Sequence, residues 1–367
     1  VSSPRLVTRS VAVLAVAPLL AGAFAGIFPV TAANAAEHRP TLSIPGAFSA
    51  VAAVSAKDAW AVGYAGSYSS MKPLIARWNG ASWARVSAPG ATGSSLNGVA
   101  ALSAGRAWAV GCTKGCGTKS RTLIERWNGS SWKEVSSPGP VGADLHAVTV
   151  ISANDAWAVG STLSGEQRSK TLIVHWNGSR WKVVPSPSPA QSILLGVAAV
   201  SGRDAWAVGN TFSATSQGQA LIEHWNGSKW KQVHSPAPGD GLHSVSATSS
   251  RNAWAVGLGG TGGGYLILHW SGTSWKQVTS PKFSGYLPLP AAVTATSARN
   301  AWVVGSTSQG SALIERWNGS SWKRQASPSG SLSAVTATSA ASAWAVGSTS
   351  SGRVLALRWN GRAWRTK

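Results

Sequence analysis

The chain is poor in acidic residues and in cysteine. Eleven Asp and Glu stand against 32 Lys and Arg in 367 residues, a formal charge of +21. So few carboxylates, several of them in repeated positions, leave little for acid–base chemistry. The two cysteines, Cys112 and Cys116, share one loop, Cys-Thr-Lys-Gly-Cys-Gly. No His or acid accompanies them there, so a local disulfide is expected and a metal site is not. Several catalytic signatures are also missing. There is no G-x-S-x-G nucleophile elbow, no phosphate-binding G-x-x-x-x-G-K-S/T loop and no H-E-x-x-H. Nothing in the sequence implies a cofactor.

What is present begins with an export signal. Arg5 and Arg9 form a positive start, Val11 to Val30 is an apolar stretch broken by Pro18, Gly22, Gly26 and Pro29, and Ala33-Asn34-Ala35 supplies a cleavage site. The apolar stretch is also long enough for an uncleaved anchor, but its prolines and the small-residue site favour cleavage, with Ala36 first in the mature chain. Residues 1–35 are therefore read as a signal peptide and the product as secreted, extracellular or wall-associated, with no transmembrane segment left after cleavage. From residue 36 onward 30 basic residues face 11 acidic ones, +19. A basic chain invites a nucleic-acid partner, but export and the lack of an aromatic–basic RNA motif argue against one.

The tryptophans organise the rest. Ala-Trp-Ala-Val-Gly places Trp at 60, 108, 157, 206, 254, 302 and 344, the sixth copy reading Ala-Trp-Val-Val-Gly. Trp-Asn-Gly, Trp-Ser-Gly in the fifth copy, places Trp at 78, 127, 176, 225, 270, 317 and 359, and a third Trp follows five residues later. These three columns account for all 21 Trp. Repeats of about 45 residues are the signature of stacked units that cannot bury their faces alone.

Each repeat reads as four short strands, A to D. In the third copy, Leu145 to Ile151 is strand A, Ala156 to Ser161 strand B, Thr171 to Trp176 strand C and Trp181 to Val184 strand D. Asn154-Asp155 and Asn177-Gly178 supply turns, and Pro185 and Pro187 end the unit. Four residues separate Trp176 from Trp181, so both rings should share one face of their hairpin. The fold class is all-β, a seven-bladed β-propeller of four-stranded antiparallel blades over residues 47–367. Blades fall near 47–90, 96–139, 145–189, 193–239, 241–281, 290–329 and 332–367. Residues 36–46 are expected to lie against blade 7 and help close the ring, since Thr41 to Gly46 resembles the end of strand D in other copies. A monomer is expected.

These motifs, with Leu-Ile-Glu-His-Trp-Asn-Gly, Ser-Trp-Lys and Ser-Pro, resemble a group of secreted Trp-rich propeller proteins of actinomycete-like bacteria. That group is loosely allied to kelch and galactose-oxidase propellers and has no assigned activity. The resemblance covers residues 47–367 and implies the fold alone. Most copies here lack the kelch Gly-Gly doublet, and the WD40 Trp-Asp pair is absent. A galactose-oxidase-like copper centre needs a Cys joined to Tyr, which two cysteines in one loop do not provide.

Alternating strand direction puts the A–B and C–D turns on one face of the disc and the B–C and D–A connections on the other. The first is uniform, the second variable, so function is expected on the second. Tyr64, Tyr68, Tyr265 and Tyr286 collect there with Phe212 and Phe283, and Tyr rings suit stacking on sugars. Lys72, Lys114, Lys119, Arg121, Arg168, Lys170 and Arg353 give the B–C loops of blades 7, 1, 2 and 3 a basic sector fit for an anionic partner. A third feature is a variable column near the start of strand A (Ser49, Asn97, His146, Leu195, His243, Ala291, Ser333), which should ring the channel mouth. His146 and His243 with Asp144 and Asp240 could serve there as an acid–base site, or as plain polar lining. The leading expectation is a non-catalytic binding propeller for an extracellular glycan, an anionic cell-wall polymer or a protein. A propeller lyase or hydrolase built on the His and Asp residues is the alternative.

Overall fold

A computed structural model describes residues 44–367 apart from 68–69, 164–168, 190, 214–215, 238–240, 260–264 and 284–286, and leaves out the side chains of 213 and 216–218 as well. The expected signal peptide, and with it Tyr68, Arg168, Asp240 and Tyr286, lies outside the described residues.

Seven four-stranded antiparallel sheets follow one another along the chain, over 46–86, 95–134, 143–183, 192–233, 242–277, 288–324 and 331–366. In every sheet the spatial order is the chain order. In blade 3 the strands are Ala143–Ser152, Asp155–Leu163, Ser169–Trp176 and Trp181–Val183, close to the bounds legible in the sequence. Strand A of each blade lies against strand A of the next, and blade 7 meets blade 1. The chain is a seven-bladed β-propeller.

Tryptophan builds every blade interface in one way. The strand C and strand D rings sit opposite each other across their hairpin, as Trp176 and Trp181 do. The strand B Trp of the preceding blade inserts against that pair. Trp157 of blade 3 lies 4.9 Å from Trp225 and 5.3 Å from Trp230 of blade 4, the second contact edge-on. The ring closes in kind, with Trp344 of blade 7 at 4.8 Å from Trp78 and 5.1 Å from Trp83 of blade 1. Each strand B Trp is at most 4% exposed. The strand C indole also donates to the carbonyl of its own A–B turn, as Trp176 does to Ala153 at 3.1 Å and Trp317 to Ala298 at 3.0 Å.

A charged or imidazole side chain covers each trio. The Arg77 guanidinium lies 4.9 Å above the Trp60 ring and makes two bonds to Asp58, at 2.9 and 3.1 Å. His175 stacks 4.1 Å from Trp157 while its Nε2 meets Asp155 at 2.8 Å. This column is structural, a cation or imidazole spent on an aromatic face.

Strand A carries a β-bulge at one position in all seven blades. Leu145 pairs with Gly160 and Ala147 with Val159, so His146 is the extra residue. The same skip falls at Ser49, Asn97, Leu195, His243, Ala291 and Ser333. The bulge draws strand A so close to strand B that a Cβ on the motif glycine would overlap a carbonyl oxygen, that of Asp144 for Gly160 and of Ser95 for Gly111. The last residue of Ala-Trp-Ala-Val-Gly is therefore set by the approach of two backbones.

At the ring's seam, Ile44 to Gly46 do for blade 7 what the segment after strand D does for blade 6. Val354 N–H donates to the Ile44 carbonyl at 3.1 Å, Gly46 N–H to Gly352 at 2.9 Å, and Pro45 bridges Arg353. In blade 6 the matching contacts are Ala312 to Pro328 at 3.3 Å, Gly330 to Gly310 at 3.1 Å, and the Ser311–Ser329 bridge. Residues 41–43 lie outside the described residues.

Gly160→Ala is expected to destabilise the propeller by about 2–4 kcal/mol, as forced overlap in a packed interior does. Gly117→Ala, at a site where a Cβ meets nothing within 4 Å, should stay within about 0.5 kcal/mol of the parent. Denaturant melts of the two variants check this, and equal stabilities would contradict it.

Candidate functional site

The variable face is assembled from the channel mouth outward. The bulge lifts one side chain per blade out of the strand A ladder, and all seven of these residues are partly exposed. Three of them reach the next blade. Asn97 donates through Nδ2 to the Leu145 carbonyl at 2.9 Å, His146 Nδ1 meets the Leu194 carbonyl at 2.8 Å, and His243 Nδ1 meets the Pro290 carbonyl at 3.0 Å. These carbonyls occupy the same place in blades 3, 4 and 6, so Asn97, His146 and His243 each stitch their blade to the next.

His146 also meets Asp144 through Nε2 at 3.2 Å, and Ser161 donates to the same carboxylate at 2.8 Å. Burial works to raise the Asp144 pKa, but His146 and Ser161 hold it below the usual value. Burial likewise works to lower His146, and Asp144 with the Leu194 carbonyl raises it. His243 has no such carboxylate among the described residues, and burial lowers its pKa, the Pro290 carbonyl only partly offsetting this. Both ring nitrogens of His146 are engaged, and no hydrogen bond joins it to His243. Among the described residues no three His, Cys, Asp or Glu side chains converge as a metal site would require. Asp240, the fourth member of the expected set, lies outside the described residues.

The aromatic residues separate. Tyr64, near the end of strand B (Asp58–Ala65), is half-buried, and burial raises its pKa. Tyr265 differs from the expected open platform. It is 2% exposed, its hydroxyl donates to Glu315 of blade 6 at 2.6 Å, and its ring lies 6.4 Å from Phe283. Its ring faces are taken up by packing between blades 5 and 6, a role set by a partner 50 residues away in sequence.

Charge is sorted by surface. Lys72, Lys114, Lys119, Arg121, Lys170 and Arg353 are all exposed. Lys114 and Lys119 ride on the loop stapled by the Cys112–Cys116 disulfide. Blades 4 to 6 add only Lys282, in the connection from blade 5 to blade 6, and instead expose Phe212, Leu258 and Leu287, the last at 64%. This apolar half of the face is not evident in the repeat pattern, because its residues fall in loops of unequal length. Two depressions among the described residues are a water-sized slot beside Arg106 and Arg126 and an open groove along Lys72, Pro73 and Arg85. Neither resembles the enclosed apolar site of a small-molecule enzyme.

Among the described residues the scarce carboxylates are almost all withdrawn from the surface. Asp58, Asp155 and Asp204 pair with Arg77, His175 and His224. Glu125, Glu223 and Glu315, two residues before the strand C Trp of blades 2, 4 and 6, are 0% exposed. Burial pushes Glu223 up to about 8 and Glu125 and Glu315 to about 7; the Gly90 amide holds Glu125 back and the Tyr265 hydroxyl holds Glu315 back. Glu134, at the rim of blade 2, is the exposed carboxylate among the described residues.

Each buried Glu folds as the neutral acid and ionises near pH 4.5 when unfolded. The stability it permits is full below that pH and is lost as pH rises through about 7 to 8. Thermal melts between pH 5 and pH 8 should show the parent losing more stability across this window than Glu223→Gln; parallel curves would refute the assignment.

No protein-family model matches the chain, and no curated protein matches it. Solved structures do. YCF48 bound to a D1 peptide is similar at 14% identity and a TM-score of 0.58, over 87% of this chain and 94% of that one. A fucose-specific lectin from Aleuria aurantia is similar at 16% identity and a TM-score of 0.50, over 79% and 98% of the two chains. The GH74 xyloglucanase of Xanthomonas campestris aligns at 12% identity and a TM-score of 0.50, over 87% of this chain and 60% of that one. A peptide binder, a lectin and an enzyme at such identities share a scaffold with this chain, and what they establish for it is the propeller fold.

Proposed function

We propose that this chain is a secreted, non-catalytic binding propeller whose B–C/D–A face takes an anionic polymer of the extracellular surface or cell wall. The observation that carries the reading is the separation of charge. Exposed cations line the contiguous blades 7, 1, 2 and 3, while among the described residues every carboxylate but Glu134 is buried or paired. A surface of this kind attracts a polyanion along its length and needs no enclosed pocket. The bulge column and Tyr64 add polar and aromatic contacts at the channel mouth. The engaged state of His146 favours binding over hydrolysis or lysis. The D1 peptide bound by YCF48 and the fucose specificity of the Aleuria aurantia lectin agree with a scaffold used for recognition. The export signal and the resemblance to secreted Trp-rich propellers support an extracellular setting.

The test is binding of the propeller from Ala36 onward to arrayed wall polymers and neutral glycans at low and high salt. Lys114→Ser, Lys119→Ser, Arg121→Ser and Lys170→Ser together should weaken polyanion binding at least about tenfold and flatten its salt dependence. Salt-resistant binding to one neutral glycan, lost in Tyr64→Ala and kept in the charge variant, would replace this reading with a lectin-like one.

A further inference from the structure

The opposite face, uniform in sequence, carries charge of its own. In each blade the A–B turn and the glycine-bearing C–D turn abut. A Cβ on the turn glycine would sit 3.3 Å from Lys57 in blade 1, 3.1 Å from Arg203 in blade 4, 2.9 Å from Arg251 in blade 5 and 3.2 Å from Arg299 in blade 6. In those four blades the second residue of the A–B turn is the cation.

The other three blades lack it there, and each replaces it nearby. Blade 2 has Gly105 at that turn position and Arg106 immediately after it. In blade 3 the position is Asn154, packed on Gly178, and Arg180 closes the C–D turn beside it. In blade 7 it is Ala341, packed on Gly361, and Arg362 follows in the C–D turn. Every blade thus presents at least one exposed cation at this end, with Lys229 a second in blade 4. None of these side chains is in an ion pair among the described residues. The carboxylates at this end, Asp58, Asp155 and Asp204, are already tied to Arg77, His175 and His224.

Seven blades reach one arrangement by three different substitutions, so the constant feature is the charge and not the residue. The turns that bear it are short and equivalent, with two residues between strands A and B, and they form a crown without a deep groove. A flexible chain would need a track to follow. A flat charged sheet meets all seven positions at once. We infer that the A–B/C–D face is a docking surface for a bilayer rich in anionic headgroups, distinct from the polymer-binding face proposed above. Each cation held at such a surface contributes about 1 kcal/mol at moderate ionic strength, and a rigid crown adds these contributions without ordering cost.

The experiment is flotation of the chain from Ala36 onward with vesicles of phosphatidylcholine alone or of equimolar phosphatidylcholine and phosphatidylglycerol. Three variants each lose four positive charges. The crown variant is Lys57→Ser, Arg203→Ser, Arg251→Ser and Arg299→Ser. The opposite-face variant is Lys72→Ser, Lys114→Ser, Lys119→Ser and Lys170→Ser, and the rim variant is Lys133→Ser, Lys182→Ser, Lys231→Ser and Lys276→Ser. The parent should float with the anionic vesicles only, and less so at high salt. The crown variant should lose at least about tenfold in partitioning, and the other two far less. As a check that needs no substitution, vesicles should shield Lys57 and Lys229 of the parent from amine-reactive labelling while leaving Lys72 and Lys133 open. Equal losses in all three variants, or equal labelling of both faces, would reduce the effect to net charge and overturn the assignment. Crown-dependent binding to soluble polyphosphate without vesicle binding would overturn it in favour of a polymer.

Discussion

The insertion of one tryptophan between two others of the next blade is the interaction on which the rest of the molecule depends. A four-stranded sheet has two apolar faces and cannot shield either alone. Seven copies of the same trio solve this by giving every blade one ring to offer and two to receive. Because offer and receipt use opposite faces, the interface propagates in one direction only and returns to its start at Trp344 with Trp78 and Trp83. Each buried indole removes some 150–250 Å² from water, so the trios dominate the energetics of assembly. The stacked cations and imidazoles seal their outer ends.

The bulge in strand A is the second constraint, and it separates structure from variation. A glycine must stand opposite it, as Gly160 does opposite Leu145, whereas the bulged residue itself is held by backbone geometry alone. That residue can be Ser, Asn, His, Leu or Ala without changing the blade. The scaffold thereby supplies a ring of positions whose side chains are free to differ while their placement is fixed. Some have been drawn into stitching blades together, as His146 and His243 have; Leu195 and Ala291 lack the polar atom to do so.

Much of the fold was legible because its determinants are local and repeated. Asn-Gly marks the C–D turn of every blade but the fifth, where it is Ser-Gly, and the five-residue step from Trp176 to Trp181 encodes their facing rings. The features that escaped depend on partners distant in sequence or on register. A one-residue bulge leaves the apolar pattern of Leu145 to Ile151 almost unaltered, so neither it nor the demand it places on Gly160 shows in the letters. Tyr265 sits in a variable segment like Tyr64, and only the fold reveals that it spends its hydroxyl on Glu315. The cations of blades 3 and 7 fall in different turns from those of blades 1, 4, 5 and 6, and an alignment by columns separates what the blade brings together.

The seam between blades 7 and 1 gives the disc a temporal order. Six interfaces join residues that are neighbours in the chain, and can form as the polypeptide lengthens. The seventh joins the first blade to the last, through the trio of Trp344, Trp78 and Trp83 and the backbone bonds of Ile44 and Gly46 to Val354 and Gly352, so the circle is completed last. Until then the assembly is an arc with two unsatisfied ends, and afterwards it has none. Tension applied through Ile44 would be borne first by its backbone bond to Val354, with the tryptophan trio of the same joint holding behind it, so the clasp guards an interface that is packed like the other six.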